Sequence, residues 1–136
     1  MPELRSNEST FRSWRLSDVV LGILSLAATE GRTKIPILEF FGTFAHLKEE
    51  YGGVLPTIIF TKTWRSAYSK GLDRALQELV GCGVGLPNPQ LQNLEVTPDA
   101  AQRHLAWLEA KYGLEAVKQL KPLADRFRTH APARQA

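Results

Sequence analysis

Apolar side chains recur every three or four residues in several separate stretches of this chain, which predicts a mainly helical protein. The first stretch predicts a helix that starts at Ser17, whose hydroxyl can accept a first-turn amide, and that stops at Gly31. The second stretch predicts a longer helix from about Thr33 to Tyr51, with Pro36 in its first turn.

The middle of the chain is open to two interpretations. Helical spacing holds across residues 62 to 80, but Gly71 would cost about 1 kcal/mol inside one long helix. Because Ser69 is a good N-cap, we favour a turn over residues 65 to 68 followed by a shorter helix over residues 70 to 80.

Two other segments predict extended structure. Residues 55 to 60 are rich in β-branched side chains and contain Pro56, so they predict a short edge strand or an extended linker. Residues 84–86 and 91–96 lie on either side of the turn Pro87-Asn88-Pro89. They predict a small β-hairpin.

The chain after this hairpin predicts two more helices. Thr97, Pro98 and Asp99 form a strong helix start, and Gly113 ends that helix. A last helix begins at Leu114, and Pro122 is expected to kink or split it. We therefore divide the chain into a flexible N-terminal arm (1–15), a compact domain (16–112), a C-terminal helix (113–128) and a disordered tail (129–136), with Phe11 and Trp14 docking the arm.

The order of these elements predicts a winged helix-turn-helix, mainly α with a small β-hairpin, followed by a C-terminal helical extension. Three segments resemble small prokaryotic proteins of that family: EGRTKIPILEFFGTFAHLKEEYG, YSKGLDRALQELVGCGVG and LEVTPDAAQRHLAWL. The resemblance covers about residues 16 to 108 and is to archaeal single-domain regulators and SocA-like antitoxins. It implies DNA binding through the helix that follows Ser69.

Two features depart from the pattern of that family. The gap between the second helix and the expected recognition helix is longer than the short turn of a simple helix-turn-helix. The predicted hairpin, residues 85 to 96, contains no lysine or arginine, although DNA-binding wings usually bring a cation to the DNA backbone. The absence of lysine and arginine from the hairpin counts against DNA binding.

Composition narrows the class of protein. The chain has 136 residues, enough for one compact domain, and a net charge of +3. No apolar run approaches the ~20 residues of a membrane span, and no secretory signal is visible at the N-terminus. The single cysteine, Cys82, excludes an internal disulfide and a cysteine-based zinc cluster. We expect a cytoplasmic protein without membrane contact.

Basic residues gather around the third helix. The candidate DNA-binding residues are Lys62, Arg65, Ser69, Lys70, Arg74 and Gln77. On a helix that begins after Ser69, Lys70 and the helix N-terminus are placed to meet phosphate, while Arg74 and Gln77 have the donor geometry to read guanine and adenine. The alternative is an ordinary solvated helix face.

No group of residues predicts catalysis. His46, His104 and His130 lie far apart without metal-ligand spacing, and Cys82 has glycine neighbours rather than a histidine. The glycines that follow residue 80 come after a helix, so they indicate a turn and not a phosphate-binding loop. We expect no enzyme activity, no catalytic residue, no metal and no cofactor.

The sequence therefore predicts a small protein that binds double-stranded DNA, as a transcriptional regulator or an antitoxin-like component. We expect a homodimer, with the last helix as a candidate interface. The alternative is an adaptor that holds another protein without binding DNA, which the hairpin lacking basic residues favours.

Overall fold

The computed structural model describes residues 11–29, 33–62, 67–81 and 93–130. The helices are α1 (Leu16–Ala28), α2 (Ile37–Tyr51), α3 (Lys70–Gly81), α4 (Pro98–Tyr112), α5 (Leu114–Lys118) and α6 (Lys121–His130). The strands are β1 (Thr33–Pro36), β2 (Thr61–Lys62), β3 (Ala67–Tyr68) and β4 (Asn93–Val96). In the described part of the chain, no helix combines the length and the apolar character needed to cross a membrane.

Helix α1 is the centre of the molecule. It packs against α3, α4 and α6, and Val20, Ile23 and Leu24 are completely buried. A helix that is covered on most of its sides is typical of a protein core. Gly22 permits a close approach of the segment between α5 and α6, because a Cβ atom at that position would lie 2.5 Å from Leu120 Cδ1.

Helix α1 does not start with the predicted serine cap. Its N-cap is Arg15, whose side chain makes no capping hydrogen bond, and Ser17 lies buried inside the first turn. The docking expected of Phe11 and Trp14 is confirmed: both are buried, and the Trp14 ring stacks on Tyr112 with centroids 3.8 Å apart. The chain just before α1 is thus part of the core.

Aromatic side chains join α2 to α6. Phe40 and Phe44 on α2 have ring centroids 4.8 Å apart, and the Phe127 ring on α6 lies 5.6 Å from that of Phe44. Pro122 is the second residue of α6, where a missing amide hydrogen has no helical partner to lose. The predicted split of the last helix is confirmed, and the apolar side of α6 faces its own chain.

The predicted start of the second helix at Thr33 is wrong. Residues Thr33–Pro36 form β1, and α2 begins at Ile37, directly after the proline. Strand β1 pairs antiparallel with β4, with Thr33 opposite Val96 and Pro36 opposite Asn93. The physical reason is that a proline pushes the residue before it towards extended backbone, so the segment forms a strand more readily than a first helical turn.

The predicted fold class, a winged helix-turn-helix with a small β-hairpin, is also wrong. The molecule is mostly helical, and no β-hairpin wing is seen in the residues that the structure describes. The segment expected to form the second hairpin strand does contain β4, but β4 pairs with β1 from far earlier in the chain. Residues 84–86 and the turn Pro87-Asn88-Pro89 lie outside the described residues. Backbone groups of an extended segment accept any strand that reaches them, so a local pattern does not specify the partner.

Candidate nucleic-acid interface

Helix α3 is held firmly by its apolar face. Leu72, Leu76 and Leu79 are buried, and the helix packs against α1. Its start is capped as the sequence predicted: the Ser69 hydroxyl accepts a hydrogen bond from the amide of Leu72 at 3.2 Å. The helix is therefore fixed in orientation before any ligand approaches.

The opposite face of α3 is polar and open to solvent. Lys70, Arg74 and Gln77 are all exposed, and their spacing of four and three residues puts them on one side of the helix. Neither Lys70 nor Arg74 forms an ion pair with a residue that the structure describes. A helix that binds a polyanion needs polar and basic side chains that are exposed on one side, and α3 has this arrangement.

Both acidic residues of α3 are already engaged. Asp73 accepts a hydrogen bond from the Tyr68 hydroxyl at 2.7 Å, and this bond raises the pKa of Tyr68. Glu78 accepts a hydrogen bond from Arg15 Nη2 at 3.0 Å. The formal charge of α3 sums to zero: Glu78 is paired with the cation Arg15, whereas the neutral Tyr68 hydroxyl leaves the negative charge of Asp73 in place. Neither carboxylate forms an ion pair with Lys70 or Arg74, so these two side chains can meet a ligand directly.

The predicted site residues divide into three groups. Lys70, Arg74 and Gln77 come together on the open face of α3. Ser69 is completely buried and its hydroxyl supports the helix, so it does not belong to the exposed surface. The backbone of Lys62 lies in β2, while its side chain and the whole of Arg65 are outside the described part of the chain.

A shallow hollow adjoins the N-terminal end of α3. It has a volume of about 300 Å³, and its lining includes Thr57, Thr61 and Lys70. Thr57, Thr61 and Lys70 are all exposed, so two hydroxyl side chains line the same hollow as the lysine. The sequence did not point to these threonines, because an isolated hydroxyl residue outside a helical pattern carries no signal of a site.

A larger groove lies between α1, α3 and α4 and was not predicted. Its volume is about 560 Å³, and α4 contributes Arg103, His104, Trp107 and Lys111 to its lining. Arg103, Trp107 and Lys111 are spaced at four-residue intervals, which places them on one side of α4. That spacing was a signal in the sequence, but the walls from α1 and α3 are brought near only by the fold.

A buried carboxylate holds one end of this groove together. Asp18 is 5% exposed and accepts hydrogen bonds from Lys111 Nζ at 2.8 Å and from the Tyr112 hydroxyl at 2.5 Å. The bond to Asp18 raises the pKa of Lys111. Burial, followed by the bond to Asp18, raises the pKa of Tyr112. Both neighbours therefore keep their protons and link α4 to α1.

His104 has a different environment. Its Nε2 atom is buried and has no hydrogen-bond partner among the described residues. Burial, with a contribution from the positive charge of Arg103, lowers the pKa of His104. The neutral imidazole, which burial favours, donates a hydrogen bond from one ring nitrogen and accepts one at the other.

The described residues contain no set of three His, Cys, Asp or Glu side chains placed to hold a metal ion. In comparisons with known proteins, no family model, no curated protein and no solved structure matches this chain. The function must therefore be argued from the exposed face of α3 and from the groove.

Proposed function

We propose that this protein binds double-stranded DNA by placing the exposed face of α3 in the major groove. The observation that carries the proposal is the set Lys70, Arg74 and Gln77, which stands open on a helix whose other face is anchored in the core. A helix is about 10–12 Å across with its side chains, which matches a major groove about 12 Å wide, and the 12 residues of α3 give it a length of about 18 Å along the groove.

Each polar side chain has a distinct role in this proposal. Lys70 contacts a phosphate, and the hydroxyls of Thr57 and Thr61, which line the same hollow, supply further donors. Arg74 lies one turn further along and donates two hydrogen bonds to a guanine edge. Gln77 pairs with an adenine edge in the same way. Phosphate contacts set the position of the helix, and base contacts supply sequence preference.

A single copy of this surface brings few cations to DNA, and each phosphate contact adds only a limited amount to the binding free energy. We therefore propose a homodimer that presents two α3 helices to two half-sites. The buried Leu123, Ala124 and Phe127 of α6 are occupied within the chain, so the dimer contact must use other residues. The biological role proposed is a cytoplasmic transcriptional regulator or antitoxin-like component.

The test is a fluorescence anisotropy titration against genomic DNA fragments at about 50 mM and about 200 mM salt. We expect binding that weakens with salt, and a loss of about tenfold or more in the variant Arg74→Glu. Lys118→Glu is the matched control, because Lys118 is an exposed cation on α5, away from α3. It should change the affinity much less. Absence of binding at low salt, or equal losses in both variants, would contradict the proposal.

A second candidate function is an adaptor for another protein. It is favoured by large apolar side chains on α4 and α5 that remain open to solvent: Trp107 is 51% exposed and Leu114 is 50% exposed. Exposed aromatic and aliphatic side chains are typical anchors of protein interfaces. Under this alternative, Arg74→Glu leaves capture of the partner unchanged, whereas Leu114→Ala weakens it. The same Arg74 variant thus separates the two functions.

A further inference from the structure

The groove between α1, α3 and α4 has the dimensions of a small-molecule site. Its volume of about 560 Å³ lies within the range of roughly 300–1,000 Å³ that is typical of ligand pockets. Leu21 and Leu79 supply buried apolar surface from two different helices, and the polar residues stand around them. An apolar base with a few convergent polar groups is the usual composition of such sites.

The charges around the groove favour an anion. Glu78 is paired with Arg15, and Asp18 is paired with Lys111, so both acidic residues of the lining have cationic partners. Arg103 is the third cation of the lining and has no ion-pair partner among the residues that the structure describes. An arginine with this freedom can bind a carboxylate through two parallel hydrogen bonds.

The electrostatic environment of His104 agrees with this reading. Its pKa is lowered first by burial and then by the positive charge of Arg103, so Arg103 lies close enough to act on this end of the groove. Its buried Nε2 atom lacks a hydrogen-bond partner in the described structure. This atom has almost no accessible surface, so we assign the ligand no hydrogen bond to it.

The groove also offers an aromatic surface. Half of the Trp107 side chain is accessible, although most large apolar side chains of the described structure are buried. The Lys111 ammonium group lies 4.9 Å from the centre of the indole ring and holds it in place. A flat ring that enters the groove can stack against the part of the indole that remains open.

We propose that this groove binds a small planar aromatic carboxylate. The ring lies against Trp107 and the apolar base, and the carboxylate pairs with Arg103. This groove adjoins the α3 face that we assign to DNA, because Glu78 lines the groove and lies one helical turn beyond Arg74. The assignment of the groove does not depend on whether the protein binds DNA.

The experiment measures binding of three probes to the full chain by isothermal titration calorimetry. Naphthylacetate is flat and anionic, naphthylacetamide keeps the ring but is neutral, and cyclohexylacetate keeps the charge but is not flat. We expect naphthylacetate to bind with a Kd below about 1 mM and each of the other probes at least about tenfold more weakly. The indole NH resonance of Trp107 should shift in the NMR spectrum at a naphthylacetate concentration at which the other two probes leave it nearly unchanged.

Two pairs of variants test whether the ligand binds in this groove. Arg103→Gln should weaken naphthylacetate binding by about tenfold, whereas Lys118→Gln, which removes an exposed cation elsewhere, should leave it unchanged. Trp107→Ala should weaken it similarly, whereas Ile59→Ala removes an exposed apolar side chain outside the groove and should have no effect.

Three results would overturn the assignment. The first is no binding of naphthylacetate at about 1 mM to a protein whose thermal unfolding is cooperative. The second is equal affinity for naphthylacetate and naphthylacetamide, since the charge of the ligand would then play no part. The third is an equal loss of affinity in Arg103→Gln and Lys118→Gln.

Discussion

Asp18 illustrates how the meaning of a single residue depends on the fold. In the sequence it is an acid in the first turn of a helix, which is favourable there because of the helix dipole. In the structure it is almost completely buried and accepts hydrogen bonds from two residues of α4, Lys111 and Tyr112. A buried carboxylate needs such donors because water cannot reach it. Its main structural role is therefore the attachment of α4 to α1.

His104 leads to a prediction about pH. Burial, with the charge of Arg103, lowers its pKa in the folded protein from the usual value of 6.5, so the unfolded chain binds a proton more readily. The free energy of unfolding should therefore decrease as the pH falls below 6.5. The variant His104→Leu should lack this part of the decrease.

Urea denaturation of both proteins at several pH values between about 8 and about 5 checks this expectation. The difference in unfolding free energy between wild type and variant isolates the contribution of His104, since all other groups are shared. A difference that stays constant through this range, or that favours the wild type at the acidic end, would contradict it.

At the scale of elements, the turn between α4 and α5 depends on Gly113. Its φ angle is +99°, and no atom lies within 4 Å of the position of a Cβ atom. The variant Gly113→Ala should therefore lower the free energy of unfolding by about 1–3 kcal/mol, through backbone strain and not through a steric clash.

Gly42→Ala is the matched control for this change. Gly42 also has open space around its Cβ position, but it lies inside α2 and has no positive φ angle. Alanine should stabilise the helix there by up to about 1 kcal/mol. Thermal denaturation of both variants measures the two effects, and a loss of stability of the same size in both would disprove the role of the φ angle.

Helix starts show which local signals determine an element. Ser69 and Thr97 each accept a hydrogen bond from a first-turn amide, as their positions in the sequence predict. Such caps act within a few residues, so the sequence is sufficient to identify them. Pro36 is compatible both with a first helical turn and with the end of a strand, and the pairing of β1 with β4 decides between them.

At the scale of the whole molecule, α6 is part of the core and not an appendage. Phe127 is completely buried, and its ring lies near those of Phe40 and Phe44 on α2. The variant Phe127→Ala should therefore lower the free energy of unfolding by about 3–5 kcal/mol, because it leaves a cavity between the two helices.

Leu114→Ala is the control, since this side chain is half exposed and its truncation should change stability by less than about 0.5 kcal/mol. Where Phe127→Ala does not fold, Phe127→Leu keeps most of the volume and should show a smaller loss in urea denaturation. Unchanged stability in both Phe127 variants would indicate that α6 is not part of the cooperative unit.

The candidate sites differ in how far the sequence reveals them. Lys70, Arg74 and Gln77 belong to one helix, so helical spacing and the position of Ser69 were enough to predict that they share a face. The groove could not be predicted in this way, because Leu21, Leu79 and Trp107 come from three helices that are far apart in the chain. The helical spacing of Arg103, Trp107 and Lys111 indicated one wall but not the space in front of it.

By itself, the sequence determined where α3 and α4 begin and end, and which side of α3 is apolar, because caps, glycines and helical periodicity act over a few residues. Only the tertiary structure decided that β4 pairs with β1, that α6 closes the core and that a groove opens beside Trp107. These features depend on contacts between distant segments. The free energy of these contacts comes from burial of apolar surface and from backbone hydrogen bonds. Any segment of suitable shape can make such contacts, so the local sequence does not specify the partner.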